Sequence, residues 1–171
     1  MATIKLPPKS IQFFERNYPE IFDQGALAEG KWNTQSANLV KEYTGTSHAV
    51  PVSSNGTGMV AVLQLMNHLY KRDSVLIQSN TMYGVFTMVN AAGSDIKGVI
   101  DCDTIFLVPD LDMIKKSVEK IDTKDLDKLI ILLSHIGGII NPWMEEITDY
   151  CKDKNILLLE DSAHSYGATL N

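Results

Sequence analysis

Cysteine is scarce in this 171-residue sequence. There are two, Cys102 and Cys151, and neither sits in a CxxC pair. That spacing offers no thiolate set for a zinc ion and no disulfide framework, and it suits a reducing compartment. Long apolar runs are missing as well. No stretch approaches the ~20 residues that a membrane-spanning helix needs, and Met1–Pro8 lacks the apolar core of a secretory leader. Positive charge is in deficit: 15 Lys and Arg against 21 Asp and Glu give a net charge of −6, with no basic block. A nucleic-acid partner calls for a clustered cationic face, so that class is excluded. Internal repeats, low-complexity tracts and obvious linkers are absent too. The expectation is a cytoplasmic protein with no membrane, metal or nucleic-acid role.

What is present reads as a folded domain. Hydrophobic residues make up 44%, mean hydropathy is −0.04, and the length suffices for one sizeable core. Pro7-Pro8 leaves the first residues as an arm. Ser10 caps a short helix that Pro19 stops, and Ser36–Tyr43 reads as a helix with Leu39, Val40 and Tyr43 inward. His48–Val52 reads as a short edge strand, since Pro51 cannot donate to a ladder. From Gly56, the residues Met59, Val62, Leu63, Met66, Leu69 and Tyr70 recur at helical spacing. Ser74–Gln78 is a strand, Thr81–Ala92 a helix, and Ile96–Asp101 a strand. Asp110 caps a helix striped by Leu111, Ile114, Val118 and Ile121. Leu129–Leu133 is wholly apolar, as a central parallel strand covered on both faces should be. Asn141-Pro142 opens a helix in cap-then-proline order, and Ile156–Leu159 is a last strand. Strands alternating with helices predict a three-layer α/β/α fold with a mostly parallel sheet.

Two strand ends carry chemistry. Ser54-Asn55-Gly56-Thr57-Gly58 is a small-residue turn opening a helix. It is either an ordinary N-cap or a cradle in which backbone N–H groups hold a phosphate. No Lys-Ser/Thr pair follows it, so it is not a P-loop. Asp161 and His164 follow the last apolar strand. Each is either a turn or structural residue, or a ligand group; an acid there can pair with a protonated heterocyclic nitrogen. His135 either lines the same pocket or supports it from behind. Met82 and Tyr83 either pack in the core or lay a flat side chain on an aromatic ring.

In order and spacing these landmarks resemble the DegT/DnrJ/EryC1/StrS aminotransferases, pyridoxal-phosphate enzymes of fold type I that act on sugar nucleotides. The resemblance runs from Gly30-Lys31-Trp32 through Ser53-Ser54-Asn55-Gly56-Thr57, Thr81-Met82-Tyr83 and His135-Ile136-Gly137-Gly138 to Asp161-Ser162-Ala163-His164-Ser165-Tyr166-Gly167-Ala168. It implies that residues 1–29 are an arm and helix, and that residues 30–171 are an incomplete cofactor-binding large domain without the small C-terminal domain. It implies pyridoxal 5′-phosphate as cofactor. Gly56 and Thr57 would hold the phosphate, Asp161 the pyridine nitrogen and His164 the ring oxygen, with Met82 or Tyr83 on the ring face. It implies a keto-sugar nucleotide and an amino donor such as glutamate as substrates, and a homodimer or a separate C-terminal half as partner. A dehydratase is the minority chemistry of the same family. The family's Schiff-base lysine lies beyond the Asp161 motif, where this sequence has none, so the expectation is a chain with no catalytic residue of its own and no turnover alone.

Overall fold

The structure, a computed structural model, describes residues 5–25 and 27–170. It divides into two compact units, Met1–Pro51 and Val52–Asn171.

The first unit holds helices α1 (Pro8–Gln24) and α2 (Lys31–Thr44). Pro19 does not stop α1; it lies inside it. Its missing N–H leaves the Glu15 carbonyl, four residues earlier, without its helical donor. Neither helix has a buried residue. Leu39 and Tyr43, expected inward, are 66% and 63% exposed. Two helices alone are too little structure to enclose them. The predicted strand at His48–Val52 is irregular chain, in keeping with the missing N–H of Pro51.

The second unit contains α3 (Asn55–Tyr70), β1 (Ser74–Gln78), α4 (Tyr83–Ala91), β2 (Asp95–Ile100), α5 (Leu111–Val118), β3 (Leu129–Ser134), α6 (Met144–Asp153) and β4 (Leu157–Asp161). The strands form one sheet in the order β2-β1-β3-β4, and every pairing is parallel. Alternate residues of the strands feed opposite layers, as the two-residue strand period requires. Leu76, Ile131 and Leu133 pack with Ile114, Val118, Met144 and Ile147 of α5 and α6. Val75, Ile77, Ile130 and Leu132 pack with Met59, Leu63, Val85 and Val89 of α3 and α4. The fold is therefore the predicted three-layer α/β/α sandwich, and burial on both faces explains the apolar runs Val75–Ile77 of β1 and Leu129–Leu133 of β3.

Small departures from the expected elements trace to side-chain bonds. α4 starts two residues late: Met82 at its N-cap is extended, and Thr81 before it lies in a bend with its hydroxyl 2.6 Å from that of Ser134. α6 starts at Met144, since Asn141 spends its Oδ1 on the Trp143 N–H and its Nδ2 on the Pro109 carbonyl. On α3 only Met59 and Leu63 are buried, and Leu69 and Tyr70 stay more than half exposed. β4 runs on to Asp161 because Leu133 and Ser134 pair with Glu160 and Asp161.

Cys151 is 2% exposed in the α6 layer, and this burial pushes its thiol up to about 11. A thiol with a raised value keeps its proton below that pH, and the thiolate is the reactive species. Ellman's reagent at pH 8 is therefore expected to titrate Cys102, which is partly exposed, in the native chain. Cys151 should react only after denaturant is added; two fast thiols in the native protein would contradict this packing.

Candidate active site

The order β2-β1-β3-β4 reverses direction between β1 and β3. In open parallel sheets the crevice at the C-terminal ends of strands around such a reversal is where ligands bind. A pocket of about 310 Å³ lies there. Its walls come from the start of α3, from Met82 to Met88, from Ser134 to Ile136, and from Asp161 to His164.

Ser54 caps α3, its Oγ accepting from the Thr57 N–H at 3.1 Å. The Thr57 hydroxyl lies 3.0 Å from that of Ser54 and 3.2 Å from that of Ser53. Thr57 thus ties the cap together and is not among the pocket-lining residues. The N–H groups of Asn55 and Gly56 are the first two of the helix and have no intrahelical acceptor. Both residues face the pocket. A Cβ on Gly56 would stand 2.7 Å from Met88 Cε, so glycine keeps the cradle open.

Asp161 closes the far side. Its Oδ1 accepts from Asn55 Nδ2 at 3.0 Å and from the Ala163 N–H at 3.1 Å. Asn55 therefore joins the helix start to the acid across 106 residues of sequence. The sequence reading placed Asn55 in the cradle turn but gave its side chain no part in holding the acid. Its only signal was a position inside the small-residue turn.

His164 lines the pocket and accepts from the Gly137 N–H through Nδ1 at 3.3 Å. An accepting Nδ1 places the proton of a neutral ring on Nε2. Met82 lines the pocket while 60% exposed; Tyr83 is 81% exposed and does not line it. His135 both lines and supports. It is 3% exposed, its Nε2 is 2.9 Å from Glu160 Oε2, and its N–H donates to the Asp161 carbonyl at 3.0 Å. Gly56, Met82, Asp161 and His164 are brought together; Thr57 and Tyr83 stand outside the wall.

Comparison with known proteins gives this arrangement a context. The chain is 26% identical over 149 residues to the UDP-4-amino-4-deoxy-L-arabinose–oxoglutarate aminotransferase of Shewanella sediminis, covering 86% of this chain and 36% of that protein. Among solved structures it resembles the sugar aminotransferase CalS13 of Micromonospora echinospora, with a TM-score of 0.77, 20% identity, and coverage of 97% of this chain and 43% of that one. It also resembles a GDP-4-keto-6-deoxymannose-3-dehydratase solved with a trapped PLP-glutamate geminal diamine. There the TM-score is 0.62 at 25% identity, covering 83% of this chain and 36% of that one. The chain thus spans well under half the length of these relatives. The profile of the DegT/DnrJ/EryC1/StrS aminotransferase family matches residues 9–171, and the chain belongs to that family, whose cofactor is pyridoxal phosphate.

Proposed function

We propose that this chain is the cofactor-binding part of an enzyme that moves an amino group from an amino acid such as glutamate to a keto-sugar nucleotide. The observation that supports this most is the Asn55–Asp161 bond, which sets a helix start and an acid on one pocket. Pyridoxal phosphate fits the residues present. A cradle that a Cβ would fill suits a phosphate, and an acid across the pocket suits a pyridinium nitrogen.

Asn55 and Gly56 would bind the phosphate through their N–H groups, with Thr57 holding the cap that aims them. Asp161 would hold the proton of the ring nitrogen, its Oδ1 already fixed by Asn55 and Ala163. His164 would present its Nε2 proton to the ring oxygen. Met82 would cover one ring face. Bound there, the cofactor supplies an electron sink for bond breaking at the amino carbon. The likeness to the dehydratase at 25% identity favours a second reading in which the sugar loses water instead of gaining nitrogen. Product analysis with a keto-sugar nucleotide and labelled glutamate separates the two. A homodimer, or a second polypeptide, belongs to the same proposal as the covering partner.

The test is a titration with pyridoxine 5′-phosphate, which has the ring and phosphate but no aldehyde for surface lysines to trap. Saturable binding at one site per chain, displaced by pyridoxal phosphate, is expected; no binding at millimolar concentration sinks the reading. Sedimentation of the loaded chain reads whether one copy or two carry the ligand. Gly56→Ala sharpens it. Met88 Cε is the far end of a flexible side chain, so stability should change by less than about 1 kcal/mol. Affinity should fall about tenfold, because the new methyl and the displaced Met88 enter the cradle. Equal affinity for Gly56→Ala would place the phosphate elsewhere.

A further inference from the structure

Gln78, the last residue of β1, belongs to no motif discussed so far, yet it is 1% exposed. A buried amide of this size must bond at both ends. On its β2 side the backbone ladder runs to the end: Gln78 pairs with Ile100, and the Ser79 N–H donates to the Ile100 carbonyl at 2.8 Å. On its β3 side the ladder stops one residue earlier, at Ile77 and Leu132. β3 and β4 continue together, through Ser134 and Asp161. The sheet therefore parts between β1 and β3 and nowhere else among its strands.

The side chain of Gln78 spans that parting. Its Nε2 donates to the Ser134 carbonyl at 3.0 Å, and its Oε1 accepts from the Ser134 N–H at 3.3 Å. One side-chain amide thus takes both backbone groups that a neighbouring strand would have taken. The same Nε2 donates to Asn80 Oδ1 at 2.6 Å. One residue further on, Thr81 Oγ1 lies 2.6 Å from Ser134 Oγ. These bonds tie the Asn80–Thr81 segment, which leads into the Met82 wall of the pocket, to the Ser134–His135 wall beyond the point where the backbone ladder stops.

We infer that Gln78 is the positioning residue of the cofactor crevice: a side-chain spacer that props β1 and β3 open and fixes the distance between the two pocket walls. A backbone pair at this level would draw the strands to the ordinary 4.7–4.9 Å spacing and narrow the mouth. Loss of the amide would leave the Ser134 N–H and carbonyl buried without partners, and the walls would drift. This rests on the cofactor reading for its ligand but not for its geometry.

The experiment uses the 171-residue chain and pyridoxine 5′-phosphate, with amide hydrogen exchange at Ser134 in the ligand-free protein as an independent measurement. Gln78→Leu keeps the volume and deletes all three side-chain bonds; affinity should fall at least tenfold, and the Ser134 amide should exchange faster. Gln78→Glu supplies a pH test. A protonated carboxyl can both donate and accept, as the amide does, whereas the carboxylate can only accept. Its affinity should approach wild type in acid and fall away from wild type as pH rises, each compared at the same pH. A structural filler would show no such profile. A folded Gln78→Leu chain with wild-type affinity and unchanged Ser134 exchange, or a Gln78→Glu chain tracking wild type at every pH, overturns the inference. Should Gln78→Leu fail to fold, the Gln78→Glu profile still decides. No binding by wild type defeats the cofactor reading instead, and Ser134 exchange in Gln78→Leu and Gln78→Glu then decides the spacer alone.

Discussion

Loaded with pyridoxal phosphate and given glutamate and a keto-sugar nucleotide, the isolated chain is expected to transfer no nitrogen above the rate of free cofactor. Transfer needs an amine on the protein that carries the cofactor and then moves a proton at the amino carbon. Among the described residues none of those lining the pocket is a lysine. In the sheet unit Lys71 caps the C-terminus of α3, the end opposite the one that lines the crevice, and Lys152 and Lys154 lie at the end of α6, no residue of which lines it. His164 and His135 are the basic side chains of the wall, and both are engaged: the Nδ1 of His164 accepts from the Gly137 N–H, and the Nε2 of His135 lies 2.9 Å from Glu160 Oε2. A positioned acid–base group contributes roughly 10²–10⁴ in rate, so its absence alone accounts for a silent enzyme. Borohydride treatment followed by peptide mass spectrometry gives the direct reading. The expected map shows scattered, substoichiometric pyridoxyl marks. One lysine modified at one per chain, together with amino transfer, would overturn the expectation. Adding a polypeptide that corresponds to the remainder of a relative, and recovering both signals, would show that the lysine comes from outside these 171 residues.

The frame of this site was legible because it is written in local patterns. Leu129–Leu133 announces a strand covered on both faces, and the Ser54–Gly58 turn before an apolar-periodic helix announces a helix start. What was not legible depends on pairs distant in sequence. The Asn55–Asp161 bond joins residues 106 apart, and the Gln78–Ser134 bonds join residues 56 apart. A single sequence gives no sign of either, since a polar residue beside a strand end satisfies itself equally well with water. The His135–Glu160 contact was hidden for another reason. Glu160 precedes Asp161 and so points to the other face of β4, where no ligand motif draws attention to it. Pro19 misled because the penalty for proline in a helix is a few kcal/mol, not a prohibition, and α1 is long enough to carry it. The choice between Met82 and Tyr83 stayed open in the sequence because two adjacent side chains turn in different directions that the pattern does not state; in the structure Met82 lines the pocket and Tyr83 is in solvent.

Replacing Asp161 should have the largest effect on ligand recognition of any change in the wall. The carboxylate is fixed before a ligand arrives: Asn55 and the Ala163 N–H hold Oδ1, and among the described residues Oδ2 takes no hydrogen bond. A hydrogen bond to a charged group is worth about 1.5–3 kcal/mol, and each 1.4 kcal/mol is about tenfold in affinity. Asp161→Ala should therefore weaken pyridoxine 5′-phosphate binding by about 10- to 100-fold. It also strands Asn55 Nδ2, so a small further loss belongs to the cradle rather than to the ring. Asp161→Asn separates these contributions. The amide oxygen can still accept from Asn55 and Ala163, which keeps the cradle aligned, but no negative charge remains to hold the pyridinium proton. Its affinity should lie between wild type and Asp161→Ala. The bound ligand's absorption should shift toward the ring with an unprotonated nitrogen, a change that a merely structural acid would not produce. The pH dependence follows with the same sign. With Asp161 present, binding protects the ring proton and raises the pH at which it is lost relative to free ligand; in the Asp161→Asn chain that protection disappears. Titrating the absorbance of the bound ligand in wild type and Asp161→Asn measures it. Superimposable titrations in the two proteins, at equal affinity, would show that Asp161 serves only the turn formed by Ser162 and Ala163, and that the ring nitrogen is recognised elsewhere.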